Sequence, residues 1–491
     1  MTPMMLQSFN YKHDVKRDGT NSMPNRLLST KRRGQVMLLV TFALVPLAGM
    51  VGLVTDIGYM RYVQRSAQKA ADAAVLAAIA DYNATNTGSV FSCGSGSTAP
   101  AWACNNPTPY SCPGALTGAS NPVEDACLYA QQNGFDPIAG SSKSVTISSG
   151  ANPSPSQPIP TAPGVNNGTW WITARVAQKV PSLFSAVLGN RSGLVAARAT
   201  AAIQPGLACI YALDPSAQGA YSQNGSTTFN ANCGIYVDSN NSSAAMLGNG
   251  GATINASSIN VVGGVSWQGT INPTPFTGVS PFADPLKSLP TPSPCDSITG
   301  CDAANCPNNS KPFVVSSNTT LSSGTYCGGI FVKNGTATFG PGRYILVGGG
   351  IGTQDTNSIV VGSNVFFYNT YDKHNAYAPI SFNANSSVQI SAPDNDPPYS
   401  GILYFEDRGC CSSMQTDSFQ GGSSSYFQGT IYAPSSLVQF AGNPSVGVTS
   451  STAKYTVVVA RQFSLQGTSN MSNDFSNVAG GNPIKVVALV E

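Results

Sequence analysis

The residues of this sequence that are able to do chemistry are mostly cysteines and carboxylates, because the chain has twelve cysteines but two histidines. Zinc sites and most acid–base catalysts draw on histidine. His13 lies in a basic N-terminal segment, so His374 is the histidine of the main body. A two-histidine metal site is therefore excluded there. The cysteines form no CxxC pair and indicate disulfides made in an oxidising compartment.

Cys209 and Cys233 flank two predicted strands, and we expect them to be bonded. The loop of about 24 residues that they close is worth about 3 kcal/mol. Cys410 and Cys411 are adjacent and bond either to each other or elsewhere. A further group surrounds a Pro/Asn-rich insertion, its connectivity is open, and the oxidising compartment argues against zinc there: Cys295, Cys301, Cys306 and Cys327.

Two short acidic segments are the candidates for a metal site. The run Asp214–Gln218 approaches an Asp-x-Ser-x-Ser metal motif, but Gln218 replaces the second serine, so we interpret it as an Asp-Pro-Ser turn. Asp394–Asp396, with Glu406 and Asp407 further on, offers oxygen ligands for Ca²⁺. The surrounding APDNDPPYSG has the composition of a plain turn, which is the preferred interpretation.

The triplet Asp372–His374 is the one group with both an acid and a base, and it lies in a Tyr-rich loop. Nothing nearby in the sequence supplies a nucleophile, so we expect the protein not to be an enzyme. We therefore predict no catalytic, cofactor-binding or metal-binding residues.

The composition limits the function classes further. The 491 residues suffice for two or three domains. Charged residues make up 9% of the chain, and the net charge is +2. No Lys/Arg run follows the N-terminal segment, so nucleic acid is excluded as a partner.

An uncharged apolar run, Val36–Val54, is long enough to span a bilayer at about 1.5 Å per residue. Lys31, Arg32 and Arg33 precede it, and the positive-inside rule then places the N-terminus in the cytoplasm. The alternative is a cleaved signal peptide, but the run exceeds the usual h-region of about 7–15 residues and no A-x-A follows. We predict a single, uncleaved span of the bacterial inner membrane, with the main body in the periplasm.

The helix is predicted to continue beyond the membrane to Tyr82. Small and apolar residues recur three to four positions apart along it and form one stripe: Tyr59, Val63, Ala67, Ala70, Ala74 and Ala78. We favour packing of this stripe against the protein's own next domain over packing against a partner subunit.

The N-terminal region resembles TadG-like proteins of tight-adherence (Flp) pilus assembly. The resemblance is carried by a basic RRG ending at Gly34, by Val54, Asp56 and Gly58 in a Val-x-Asp-x-Gly pattern, and by the Ala-rich run Gln68–Ala74. Related pilins carry a Glu five residues after a cleavage-site Gly. The corresponding position here is Leu39, which implies that the anchor is kept.

The resemblance extends more loosely to a strand, a Pro-x-x-Phe at Pro181 and Phe184, and an Ala-rich strand, Ala196–Ala202. It implies partnership with other pilus-assembly or envelope proteins.

We predict four segments: residues 1–33 as a basic cytoplasmic tail, 34–82 as the transmembrane anchor and extended helix, 83–205 as an α+β module with a Cys-rich loop, and 206–491 as a β-solenoid. The last segment contains short strands separated by Gly/Asn/Ser turns, which is typical of stacked β rungs.

The predicted fold class is mainly β, with the last segment a right-handed parallel β-helix and a β-sandwich as the alternative. Ile235 and Val361 are predicted to face the core.

The leading functional hypothesis is a single-pass pilus-assembly protein with a periplasmic scaffold or binding domain. An envelope-anchored adhesin or glycan-binding β-helix is the second hypothesis. A membrane-tethered polysaccharide lyase or hydrolase is the third, and it would require acidic residues that converge in one groove.

Overall fold

The structure is a computed structural model that describes residues 33–85, 93, 99–105, 108–151, 170–182, 186, 189, 191–293, 306–442, 454–479 and 481–489. The fold is mainly β with one long N-terminal helix, as predicted. The chain divides into two compact units, Met1–Met60 with Pro181–Gly193, and Arg61–Val180 with Leu194–Glu491. The predicted cytoplasmic tail lies almost entirely outside the described residues.

The N-terminal helix, α1, runs from Arg33 to Thr85 over 53 residues and includes Pro46. The predicted helix, 34–82, is confirmed within three residues at each end. The alanines of the predicted stripe, Ala67, Ala70, Ala74 and Ala78, are fully buried in a core that also contains Ile172 and Ala199. The alanine stripe therefore packs within the protein's own second unit, as favoured above, because alanines let strands approach the helix closely.

A small module follows, built from helix α2, Pro122–Gln132, and an antiparallel sheet. The Asn121 side chain accepts the N–H groups of Val123 and Glu124 and so caps α2. Its C-terminal turn is followed by Gly134, whose φ of +91° suits glycine. The first four strands of the sheet are β1 Tyr110–Ser111, β2 Lys143–Ala151, β3 Trp170–Pro181 and β4 Ser192–Pro205.

The remaining strands lie after this module. In chain order they are β5 Ala208–Ala212, β6 Tyr221–Gln223, β7 Thr228–Ala231, β8 Gly234–Val237, β9 Met246–Asn255, β10 Ile259–Val261, β11 Val265–Asn272, β12 Phe276–Thr277, β13 Phe313–Val315, β14 Thr319–Leu321, β15 Gly324–Cys327, β16 Ile330–Val332, β17 Gly335–Phe339, β18 Gly342–Val347, β19 Ile351–Thr353, β20 Ser358–Gly362, β21 Val365–Thr370, β22 Ser387–Ser391, β23 Ile402–Glu406, β24 Thr416–Gly421, β25 Tyr426–Gly442, β26 Thr456–Gly467, β27 Ser469–Met471 and β28 Lys485–Leu489.

The last strand, β28, pairs antiparallel with β4, so that Leu489 lies opposite Ala201. The sequence analysis placed this C-terminal strand in the solenoid segment, whereas the structure adds it to the sheet of the module. The predicted short helix at Pro181–Leu188 lies largely outside the described residues.

Strands β5 to β27 are joined by parallel ladders in which each strand stacks on a strand from the next turn of the chain. In one such row β15 pairs with β18, β18 with β21 and β21 with β23. Parallel strands need crossover connections rather than hairpins. Here the intervening strands provide the crossover, as β16 and β17 do between β15 and β18.

The order of the stack differs from the order of the chain. Val458 of β26 pairs in register with Ile210 of β5, so a late strand stacks on the first strand of this region. From β5 the chain continues outward through β8, β10 and β12. The described residues 278–293, which we call the return segment, follow β12, and β13 begins the other part of the stack.

The return segment is held on the outside of the strands by Arg408. Its guanidinium donates to the carbonyls of Leu286 at 2.7 Å and Leu289 at 2.9 Å, and its Nε donates to the Tyr432 hydroxyl at 2.7 Å. Leu286 is 2% exposed and packs with buried aromatic side chains of the outer face.

In strands such as β10, β16 and β22 the core residues of the stack alternate with half-buried ones, whereas β5, β21 and β23 are buried on both faces. Ile235 is fully buried, as predicted. The prediction for Val361 is wrong: its neighbour Val360 is 0% exposed and Val361 is only half-buried. Both are valines in one apolar run, so only the register, in which Val360 lies between Ala337 and Val388, decides which faces inward.

The predicted Cys209–Cys233 disulfide is present, and Cys306 bonds to Cys327. Cys295 and Cys301 lie outside the described residues. Further disulfides in the module join Cys93 to Cys104 and Cys112 to Cys127.

Replacing Val360 by Asp is expected to unfold the stacked strands, because an unpaired buried carboxylate costs several kcal/mol against a total stability of about 5–15 kcal/mol. Val361→Asp is the matched control, since its partners on the outward face are Thr338 and Gln389. We expect it to cost about 1 kcal/mol or less. Urea unfolding followed by circular dichroism measures both, and equal destabilisation by the two variants would contradict the register.

Candidate functional site

The acidic residues predicted as a calcium alternative do not converge. Asp396 forms a two-bond ion pair with Arg343, with distances of 2.8 Å and 2.6 Å. Asp407 accepts the hydroxyls of Tyr368 at 2.8 Å and Thr370 at 2.6 Å. Each carboxylate is thus already bound by its own neutral or cationic partners, which supports the turn interpretation over a shared cation.

Asp214 is a turn residue, as preferred from the sequence. Its Oδ1 accepts the backbone N–H groups of Ser216 at 3.1 Å and Ala217 at 2.8 Å. Its Oδ2 accepts from Arg461 at 3.0 Å and Gln462 at 3.1 Å. These contacts join the loop after β5 to strand β26, and so they support the stacking of β26 on β5.

A groove of about 500 Å³ lies among the described residues beside strands β13, β16 and β19. One wall is the loop Tyr371–Pro379, which we call the wall loop. The groove contains apolar, aromatic, amide, hydroxyl and cationic groups; among its lining residues are Asn309, Lys311, Phe331, Gly352, His374 and Ser381.

The floor of the groove is the outward face of these strands. Phe331 alternates with buried Ile330 and Val332 and lies opposite Gly352 in the neighbouring strand. A Cβ on Gly352 would come within 3.4 Å of the Phe331 ring, so the ring lies across this glycine. The aromatic surface is half-buried and belongs to a rigid strand.

Asp372 and Asn375 brace the wall loop at its exposed end. The Asp372 carboxylate accepts the N–H groups of His374 at 2.7 Å and Asn375 at 2.6 Å. Burial raises the pKa of Asp372, but these donors outweigh it and lower the pKa overall. Asn375 in turn accepts the Ser310 N–H at 2.8 Å and donates to the Pro307 carbonyl at 3.1 Å. Of the triplet Asp372–His374, His374 lines the groove and Asp372 has a structural role in the wall loop.

Behind the wall loop lies a buried acid pair, Glu406 and Asp417, both 0% exposed. Asp417 accepts the Ile380 N–H at 2.8 Å and contacts the Tyr404 hydroxyl at 3.3 Å. The Tyr377 hydroxyl bridges Tyr404, at 3.0 Å, and Glu406, at 3.2 Å. Since Tyr377 belongs to the wall loop and Ile380 follows it, the acid pair holds the loop from behind.

The two carboxyls are in unusual electrostatic surroundings. Burial raises the pKa of Asp417 well above its ordinary value, and the charge of Glu406 raises it further. Burial also raises the pKa of Glu406, against donors that include the Ser436 hydroxyl and the Ser435 N–H. Two interacting carboxyls titrate as a pair, so the pair retains a proton at pH values where exposed carboxylates have lost theirs.

Cys410 and Cys411 bond to each other, which settles the alternatives left open by the sequence. The Cys410 Sγ lies 3.4 Å from Oε1 of Glu406. In the described residues Glu406 and the two sulfurs are close enough together to surround a metal ion. Both sulfurs are, however, in a disulfide rather than in the thiolate form that binds zinc, so the geometry supports no metal site.

The second candidate functional surface is the first half of α1. Its large apolar side chains from Met37 to Ile57 are 76% to 43% exposed. The described residues contain one helix long and apolar enough to cross a membrane, within Leu39–Tyr82. Such exposure is what a lipid-facing helix requires.

These features define a membrane-anchored protein with a mainly β body. Residues 34–84 match the family model described as putative Flp pilus-assembly TadE/G-like, which confirms the resemblance seen in the sequence. Residues 288–476 match a model described as a domain of unknown function, DUF7305. No curated protein and no solved structure matches the chain.

Sequence reasoning missed Asp417, Tyr377 and Tyr404 as parts of a functional arrangement. Asp417 stands in a run of Ser, Gln and Thr that has the composition of an exposed turn. In β24 the buried residues Asp417 and Phe419 alternate with the half-buried Ser418. In the sequence, the spacing of Asp417 two positions before an apolar Phe419 is a signal that both face inward. Only the stacking of the strands shows which groups Asp417 meets there.

Asp417→Asn is expected to flatten the pH dependence of stability. In the wild type the folded state keeps a proton that the unfolded chain releases above about pH 4, so stability falls as pH rises toward the raised pKa values. We therefore expect the free energy of unfolding of the wild type to fall between pH 4 and pH 9, and this fall to be clearly smaller in the variant. Asparagine resembles the protonated carboxyl group in shape but does not titrate, so the variant does not lose stability in this way as the pH rises.

The measurement is the urea unfolding midpoint of the detergent-solubilised protein across that pH range. Asp355→Asn is the control, because the Asp355 carboxylate lies in a surface turn, where it accepts the Asn357 N–H. An Asp417→Asn profile as steep as those of the wild type and this control would contradict the shared proton.

Proposed function

We propose that the chain is a single-pass inner-membrane protein of a Tad/Flp-type pilus-assembly system, with its N-terminus in the cytoplasm and its main body in the periplasm. The observation that carries this proposal is the coincidence of the TadE/G-like match with the exposed apolar part of α1. Lys31, Arg32 and Arg33 before the apolar run support the orientation.

The main body is proposed to be a right-handed parallel β-helix that acts as a scaffold or binding domain. Its support is the parallel pairing of short strands from successive turns, as in β17, β20 and β22. A β-sandwich would be built from antiparallel neighbours. Disulfides and sparse charge suit a body exposed to an oxidising compartment.

We propose that this body does not catalyse a reaction. A lyase or hydrolase would need an accessible acid and base facing a substrate. The buried acid pair is inaccessible, and Asp372 is bound by donors of its own loop. These arrangements support stability of the wall loop rather than proton transfer.

A second candidate function is a binding module, such as an envelope-anchored adhesin or glycan-binding domain. The groove favours it, because a braced loop, an aromatic floor and cationic side chains meet on one surface. This function is compatible with the first, since an assembly protein can bind envelope material through its periplasmic body.

Leu44→Arg is expected to weaken membrane insertion. Leu44 lies near the centre of the apolar run and is 59% exposed, and an arginine at such a depth costs about 2.5–3.5 kcal/mol on insertion scales. We expect a substantial fraction of the variant to be released by alkaline carbonate, whereas the wild type stays in the membrane pellet.

Leu76→Arg is the matched control, because Leu76 is 38% exposed on the same helix but lies outside the apolar run. Carbonate release of both variants to the same extent, or of neither, would count against Val36–Val54 as the anchor.

A further inference from the structure

We propose that the groove binds a carboxylate-bearing polysaccharide, with Lys311 and His374 recognising the acid groups and Phe331 stacking on a sugar ring. The proposal rests on the binding role of the exported body given above. It names a ligand class for a site defined by the wall loop and the outward faces of β13, β16 and β19.

The shape of the groove suits a polymer segment. Its volume of about 500 Å³ lies in the range of small-ligand sites, and it is open to solvent rather than enclosed. The floor includes Gly352, and the Phe331 ring of the neighbouring strand lies across this glycine, so the floor presents an aromatic surface. A chain of sugars can therefore lie along the floor without entering the core.

The charged side chain in the described lining of the groove is the cationic Lys311. Lys311 and His374 are both exposed and line the groove, and Lys373 is exposed next to His374. The ring nitrogens of His374 can form hydrogen bonds with an acid group. Oδ1 of the nearby Asp372 accepts the N–H groups of His374 and Asn375, with distances of 2.7 Å and 2.6 Å. A ligand in the groove thus meets a positive lysine, while the neighbouring carboxylate is already bound by donors.

The neutral groups also fit a sugar. Asn309 and Ser381 line the groove and provide an amide and a hydroxyl, which can both donate and accept hydrogen bonds with sugar hydroxyls. The half-buried Phe331 ring offers an apolar face for the C–H groups of a pyranose ring. Because the ring belongs to a strand and crosses Gly352, it is held in place before the ligand arrives.

Other polymers fit this surface less well. A nucleic acid would need several phosphate contacts from Lys or Arg, and the described lining provides one lysine and one histidine. An extended peptide would pair with a sheet edge, but the central strand of the floor, β16, is bonded to β13 and β19 on its two sides.

The test measures binding of hexagalacturonate, a carboxylate-bearing oligosaccharide, to the full-length protein in nanodiscs by isothermal titration calorimetry. Maltohexaose is the uncharged comparison, and a hexaglutamate peptide is the acidic non-sugar comparison. We expect saturable binding of hexagalacturonate, at least about tenfold weaker binding of maltohexaose, and no saturable binding of hexaglutamate.

The variants are Lys311→Ala and His374→Ala, each expected to raise the Kd for hexagalacturonate about tenfold, and Phe331→Leu, expected to weaken binding of all bound sugars. Lys287→Ala is the matched control, because Lys287 is exposed in the return segment and does not line the groove. It should leave the Kd within about twofold of the wild type. Circular dichroism checks that each variant is folded.

The proposal is overturned if hexagalacturonate fails to bind, if hexaglutamate binds as tightly, or if Lys287→Ala weakens binding as much as Lys311→Ala. Carbonate extraction of membranes that contain the same protein tests the proposed membrane anchoring independently of sugar binding. A protein that stays in the membrane but does not bind the sugar contradicts only the ligand assignment.

Discussion

Parallel stacking in a fixed register is the constraint on which the rest of this structure depends. Strands such as Ile259–Val261 or Ile330–Val332 are too short to bury their apolar side chains alone. Each does so by lying in register with the strand of the next turn. The pairing of Val458 with Ile210 then joins the last turns to the first ones. The stack is therefore continuous, although the order of its strands differs from their order in the chain.

This arrangement explains how a chain with few charges produces a groove lined by aromatic, amide, hydroxyl and basic side chains. Side chains that point inward form the core, and residues at outward positions, such as Phe331 and Ser381, line the groove. The wall loop is an insertion between two strands, and it is fixed at both ends of its span. Asp372 and Asn375 brace the exposed side, while Asp417 bonds the N–H of Ile380 on the buried side.

The buried acid pair is costly unless its atoms are bonded, because burial disfavours the charged forms. The hydroxyls of Tyr377 and Tyr404 link the two carboxyls, and Ser435 and Ser436 complete the contacts of Glu406. Such a network ties the strands β23, β24 and β25 to the wall loop. The position of the wall loop and the protonation of the buried acid pair are therefore coupled through the same few atoms.

Much of the local structure was predictable from the sequence, because its signals are local. The apolar run and alanine spacing define α1, and short apolar runs between Gly/Asn turns locate strands such as Gly234–Val237. The pairing of β26 with β5 and of β28 with β4 was not predictable, since it joins residues more than 240 positions apart. Val360 and Val361 show the same limit: their types are identical, and only the neighbouring turns decide which is buried.

The central claim is that a membrane anchor carries the β body into an oxidising compartment. The most direct measurement is disulfide mapping by mass spectrometry after whole bacterial cells expressing the full-length protein are quenched with N-ethylmaleimide before lysis. The account predicts bonded peptides for the pairs Cys112–Cys127, Cys209–Cys233 and Cys306–Cys327. Recovery of Cys209 and Cys233 as alkylated free thiols in membrane-embedded protein would contradict it.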